Sequence, residues 1–198
     1  MKTHSPLLLS LITLVVVQTA AHAQRESFDA STVTRRMEVL IVEDATGSKP
    51  ESVKRHGYSA DGQAFDLRAS KASATFADIF FKFDSAELRD AASELKVDEM
   101  AELLKSAKYS KARILIEGHT CDLGESDYND KLSAQRAEAI RKRLIKRGVD
   151  KDRLVALGFG EAEIVDPVSR RDSPSEAEAK RMKSRRVVLR QVLPKPAK

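Results

Sequence analysis

Apolar positions recur along this chain with two different periods, and the switches between them mark its elements. FADIFFKFD, residues 76–84, places aromatics at Phe76, Phe81 and Phe83 and runs into Asp84-Ser85, which predicts a strand followed by a turn. AASELKVDEMAELLKSA carries Leu95, Met100, Leu103, Leu104 and Ala107 at helical spacing and predicts an amphipathic helix. ARILIEGH is a short β-branched run bounded by charge and glycine, as expected of a buried strand. A second helix is expected over 126–147, with Ser126 as N-cap, Gly148 as stop, Asp127 in the first turn and Lys146 and Arg147 in the last. VDKDRLVALGFGE reads as a turn and a third strand, and residues 184–192, SRRVVLRQV, as a fourth. The order β-α-β-α-β-β describes an α/β fold, with one mixed sheet and two main helices packed against it. Between the last two strands, EAEIVDPVSRRDSPSEAEAKRMKS reads as a long polar loop with some helix, and loops of that length are often functional.

The region before residue 75 is less regular. MEVLIVED, residues 37–44, has the apolar centre of a strand, and TGSKPESVKRHGYSADGQ and ASKASAT read as linker. Residues 24–74 are therefore expected to form one or two strands plus linker, loosely attached, ahead of a domain at 75–192, with a polar tail at 193–198. The first 23 residues carry a basic start, an apolar run and small residues at Ala21 and Ala23, the pattern of a cleaved signal peptide. Residue 24 is Gln, so a chain cut there offers no N-terminal cysteine for a lipid. Export to the periplasm is the expectation.

Composition narrows the function classes. The formal net charge is +5, from 35 basic and 30 acidic residues, which suits attraction to anionic polymers but does not single out nucleic acid. Cys121 is the chain's single cysteine, so no intramolecular disulfide is available. With no tryptophan and three tyrosines, the chain lacks the aromatic girdles of a membrane barrel.

Candidate chemistry concentrates in GHTCDLG, residues 118–124. His119 and Cys121 could be a nucleophile and its base, but such pairs normally assemble from distant segments, and no second histidine lies nearby. His56, His119, Cys121 and Asp122 lack convincing spacing for a metal site. The sequence assigns no catalytic residue, metal or cofactor. A ligand loop has firmer physics: a strand passing through a glycine-flanked loop into a helix start leaves outward amides that favour a carboxylate. Thr120 and Asp122 add hydrogen-bonding side chains, and Asp122 adds a charge for an ammonium group. Arg136 stands one turn after Leu132 and one before Ile140, at the border of the apolar stripe. A guanidinium there needs a carboxylate, either from the protein or from a ligand.

FKFDSAEL, IEGHTCDLG, YNDKLSAQRAEAIRKRLIKRGV, RLVALGFGE and SRRV, in this order and spacing, resemble the C-terminal peptidoglycan-binding domain of the OmpA family, whose relatives include Pal and MotB. The resemblance covers roughly residues 75–192. It implies a non-enzymatic domain that binds peptidoglycan through the diaminopimelate of its stem peptide. In the family the loop reads G-H-T-D-x-x-G, and its Asp grips diaminopimelate together with the Arg of L-S-x-x-R-A. Here that motif begins at Leu132 and its arginine is Arg136; Asn129 matches the preceding Asn, and Thr120 and Leu123 lie in the loop. Arg186, of SRRV, matches a family arginine that borders the same pocket, and Ser184 replaces the usual Asn. The departure is Cys121, which stands where the family has Asp, and a thiol is a weak hydrogen-bonding group. The ammonium contact is expected either to pass to Asp122 or to be lost. In the second case the domain would be an interaction or assembly module that no longer binds wall. The sequence leaves open a dimer and an envelope-protein partner.

Overall fold

The computed structural model describes residues 52–76, 79–82 and 84–193. The strand expected at 37–44, the leader at 1–23, Phe83 and the tail from 194 lie outside the described residues. Five strands form one mixed sheet: β1 (Ser52–Tyr58), β2 (Ala64–Phe76), β3 (Ile114–Gly118), β4 (Leu154–Gly158) and β5 (Val187–Val192). Three helices accompany them: α1 (Ala91–Lys105), α2 (Ser126–Lys146) and α3 (Pro174–Ser184). The strand order is β1-β2-β5-β3-β4, closed into a barrel where Tyr58 meets Gly158. Only β3 and β4 are parallel, as the α2 crossover between them requires.

The α/β architecture with one mixed sheet and two main helices is as expected, and the described residues 52–74 ahead of residue 75 belong to the same sheet. β1 and β2 form a hairpin in register from Ser52↔Ser70 to Tyr58↔Ala64, turning through Gly62 at φ +84°. β2 then continues along β5, with a register shift between Ala69 and Ser73. Such an irregularity bends a strand, which lets one long strand serve two neighbours and curl the sheet. The small, polar residues of this stretch are tolerated in a strand because its backbone pairs with β1 up to Ser70 and with β5 from Ser73. Of the strand expected at 76–84, Phe76 ends β2 and the described residues after it form one bridge, Phe81↔Leu88, with Phe80 held by the Ser93 hydroxyl, which accepts its N–H at 3.0 Å.

Two apolar clusters fill the two sides of the sheet. On the helix side, Val97, Met100, Ala101 and Leu104 of α1 meet Ile114 and Ile116 of β3, Ile140 and Leu144 of α2, and Val187 and Leu189 of β5. Leu95, expected in this stripe, is 60 % exposed, because the buried face runs through Val97, Ala101 and Leu104 instead. On the other side, Leu115, Leu157 and Phe159 are covered by Ala69, Phe65 and Leu67 of the hairpin. Each such side chain, fully buried, contributes about 1.5–3 kcal/mol.

α2 is pressed onto the ends of β3 and β4, and two glycines make this possible. A Cβ on Gly118 would lie 2.0 Å from the Ser133 carbonyl oxygen, and one on Gly158 would lie 2.4 Å from the Ala134 nitrogen. This contact carries the 118–124 loop and the start of α2 together. Ser126 is the first helical residue rather than the cap; Glu125 occupies the cap position without a side-chain bond.

Candidate ligand-binding site

Strand alternation decides which side each loop residue faces. In β3, Ile114 and Ile116 point to the helices while Leu115 and Glu117 point to the hairpin side. Continuing the alternation sends His119 with Glu117, and its buried ring stacks on Phe159 at 5.7 Å and lies 3.6 Å from the Glu117 carboxylate. Burial, the largest influence, holds the His119 pKa below the ordinary imidazole value. Cys121 lies on the other side, 6 % exposed, with its sulfur 3.8 Å from Arg185 Nη1. The two residues that suggested a nucleophile and base therefore face different partners.

Thr120 and Asn129 build the loop rather than its mouth. The Thr120 amide donates to the Gly160 carbonyl at 2.8 Å, and its side chain is buried. The Asn129 amide donates to the carbonyls of Cys121 at 3.4 Å and Leu123 at 3.1 Å, and to Glu161 at 2.9 Å. Gly124, at φ +99°, supplies the turn into α2. Leu132 is buried beneath the helix, and Leu123 is 53 % exposed on the loop's outside.

Asp122 is held by α3. Arg181 donates to it through Nε at 2.8 Å and Nη2 at 3.4 Å, and this bond, more than any other influence, keeps the carboxyl below its usual range. Asp122 is not among the residues lining the cavity beside Arg136.

Arg136 is the centre of that cavity, a recess of about 130 Å³. Its side chain is 5 % exposed; Nε donates to the Ser85 carbonyl at 3.1 Å, and the guanidinium lies 5.1 Å from the Phe81 ring centre. Among the described residues it forms no ion pair. Burial first, and then the like charge of Arg185, lower its pKa from the ordinary arginine value, though a guanidinium keeps its proton at neutral pH. Phe80, Phe81 and Arg89 form one wall; Glu178, Met182 and Arg185, from α3 and its end, form another.

The two adjacent arginines, Arg185 and Arg186, part company here. Arg185, not Arg186, lines the cavity with Arg136. Arg185 shares its side of the sheet with Val187 and Leu189, whereas Arg186 shares the opposite side with Val188 and Arg190. There Arg186 donates to the Glu163 carbonyl at 3.0 Å and approaches its carboxylate at 3.6 Å. Period-two counting back from β5 would have separated the two arginines. The α3 wall was also missed, although Ser173-Pro174-Ser175-Glu176 is a capping-box signature with Pro at the helix start, and both bonds of the box form.

Behind the loop lies a buried ionic cluster. Glu117, fully buried, accepts from Arg55 at 2.8 and 2.9 Å and from Arg190 at 3.0 and 3.1 Å. Arg55 also donates to Glu163 and lies 4.4 Å above the Phe159 ring. Glu117, His119 and Glu163 bring ligand atoms within 4.8 Å of one another. A metal cation there would have to displace guanidinium groups from both carboxylates, so the cluster is built as an ion-pair network that ties the hairpin to β3 and β5.

A model of the OmpA family matches residues 80–181, just over half of the chain. The peptidoglycan-associated lipoprotein of Pseudomonas aeruginosa is 34% identical over 109 residues, covering 52% of this chain and 61% of that protein. The peptidoglycan-binding protein ArfA of Mycobacterium tuberculosis is 32% identical over 153 residues, covering 77% of this chain and 42% of ArfA. Among solved structures, the peptidoglycan-associated lipoprotein of Burkholderia pseudomallei aligns with a TM-score of 0.47 and 30% identity, covering 58% of this chain and 86% of that one. The chain spans less than two thirds of the length of these curated relatives. With the family model matched over that share of its length, the chain belongs to the OmpA family.

Proposed function

We propose that this chain binds peptidoglycan non-covalently, through the free amino-acid end of diaminopimelate in the stem peptide, and so positions itself in the cell envelope. The observation that carries the reading is Arg136, a nearly buried guanidinium that opens on a cavity and has no carboxylate partner among the described residues. A charge buried without a counter-ion is costly, and an incoming carboxylate would relieve that cost. A charge-assisted bond to such a group is worth about 1.5–3 kcal/mol, so removing the guanidinium should weaken binding roughly ten- to a hundredfold. The relatives named for peptidoglycan support the ligand class. Binding rather than catalysis is favoured by the separation of His119 from Cys121, whose side chains face different partners.

The test is sedimentation of the purified chain with diaminopimelate-type sacculi. The wild type should pellet with the sacculi, and Arg136→Ala should leave most of the protein in the supernatant. Equal pelleting of both, or none by either, would overturn the reading. One observation favours a second reading, an interaction module that has lost wall binding: residue 121 is a cysteine, and Asp122 is already paired with Arg181. On that reading only Cys121→Asp would pellet.

A further inference from the structure

The cavity at Arg136 has one acidic residue in its described lining, Glu178, and it comes from α3 rather than from the loop. An amino-acid head group carries an ammonium as well as a carboxylate. The loop offers that ammonium little: Cys121 is a thiol, and both Asp122 oxygens are engaged by Arg181.

Glu178 stands beside the place that Cys121 occupies. Arg185 Nη1 lies 3.8 Å from the Cys121 sulfur and 3.5 Å from Glu178 Oε2, so one guanidinium nitrogen spans the thiol and the carboxylate. Arg185 Nη2 donates to the other oxygen of the same carboxylate. A carboxylate has about four acceptor positions, and Arg185 uses two of them. The Glu178 side chain is 52% exposed, which leaves its remaining lone pairs open to a small, strongly hydrated group such as an ammonium. The capping box at Ser173 fixes the start of α3, and Arg181 fixes its face to the loop, so the position of Glu178 is set before any ligand arrives.

We propose that Glu178 is a specificity-determining residue that receives the ligand's ammonium, in place of the acid that Cys121 does not supply. This rests on the reading of Arg136 as the carboxylate-binding group. Together they make a site for a zwitterionic head, with the positive pole on α2 and the negative pole on α3.

The experiment is a titration of the folded chain with meso-diaminopimelate and with pimelate, which has the same two carboxylates and no amines, followed by amide chemical shifts. The wild type should prefer diaminopimelate by about tenfold. Glu178→Gln should bring that ratio close to one, and adding Cys121→Asp to Glu178→Gln should restore the preference. Circular dichroism checks that each variant is folded. If the wild type discriminates and Glu178→Gln discriminates equally, Glu178 is not the ammonium acceptor, although the Arg136 reading stands. If the wild type binds neither probe, the Arg136 reading fails and this inference fails with it.

Discussion

Removing the Glu117 carboxylate should cost about 3 kcal/mol, far more than a typical substitution in a strand. Glu117 is fully buried in β3 and accepts from two arginines whose side chains are 11% and 13% exposed. Glu117→Ala strands both guanidiniums, and breaking a buried pair in this way costs roughly 3–5 kcal/mol. The lower end applies here, because Arg55 retains Glu163 and Arg190 retains the Lys71 carbonyl at 2.7 Å. With a urea dependence of about 2 kcal/mol per molar for a domain of this size, the unfolding midpoint should fall by about 1.5 M. A cycle with Arg55→Ala isolates the pairwise part, and the double variant should be less destabilised than the sum of the singles. A midpoint shift below about 0.3 M, or strict additivity, would refute the claim that this network holds the hairpin to the sheet.

Acid should destabilise the fold through His119. Its folded pKa is depressed below the ordinary 6.5, so the unfolded chain takes up a proton first. Stability is then complete above about pH 6.5 and declines as the pH falls toward the folded value, by at most about 1.4 kcal/mol per pH unit. Denaturant midpoints measured from pH 7.5 to 5 should show the slope, and His119→Phe should remove it. Gly158→Ala should lower the melting temperature sharply, since its Cβ would sit 2.4 Å from both the Ala134 nitrogen and the Ser133 hydroxyl oxygen; overpacking of this kind costs up to about 3 kcal/mol. Ser173→Ala should remove about 1 kcal/mol from α3 and speed amide exchange within it, and unchanged protection would show that the capping box is not what sets the helix.

How much of this was legible depended on whether a residue's role came from local pattern or from what crossed it. The helix-side core could be read from the β-branched run of β3 and the Leu132–Arg136–Ile140 spacing of α2, because those periods directly encode which face is buried. The placement of Arg136 at the edge of that face followed from the same count. The extent of the hairpin was not legible: Ser73, Ala74 and Thr75 read as a run of small residues, and pairing with β5 makes them strand. Glu117 drew no attention because a lone acid in an apolar run shows its importance only once Arg55 and Arg190, 62 and 73 residues away, converge on it. Arg185 and Arg186 are adjacent in sequence, so motif matching could not separate them; the alternation of β5 does.

The account rests on Arg136 receiving a carboxylate, and a crystal structure of the chain with a diaminopimelate-containing muropeptide tests that most directly. The ligand's free carboxylate should lie at about 2.7–2.9 Å from the terminal nitrogens of Arg136, inside the recess between Phe81 and α3. A muropeptide bound elsewhere, with Arg136 turned onto a carboxylate of the protein, would contradict it.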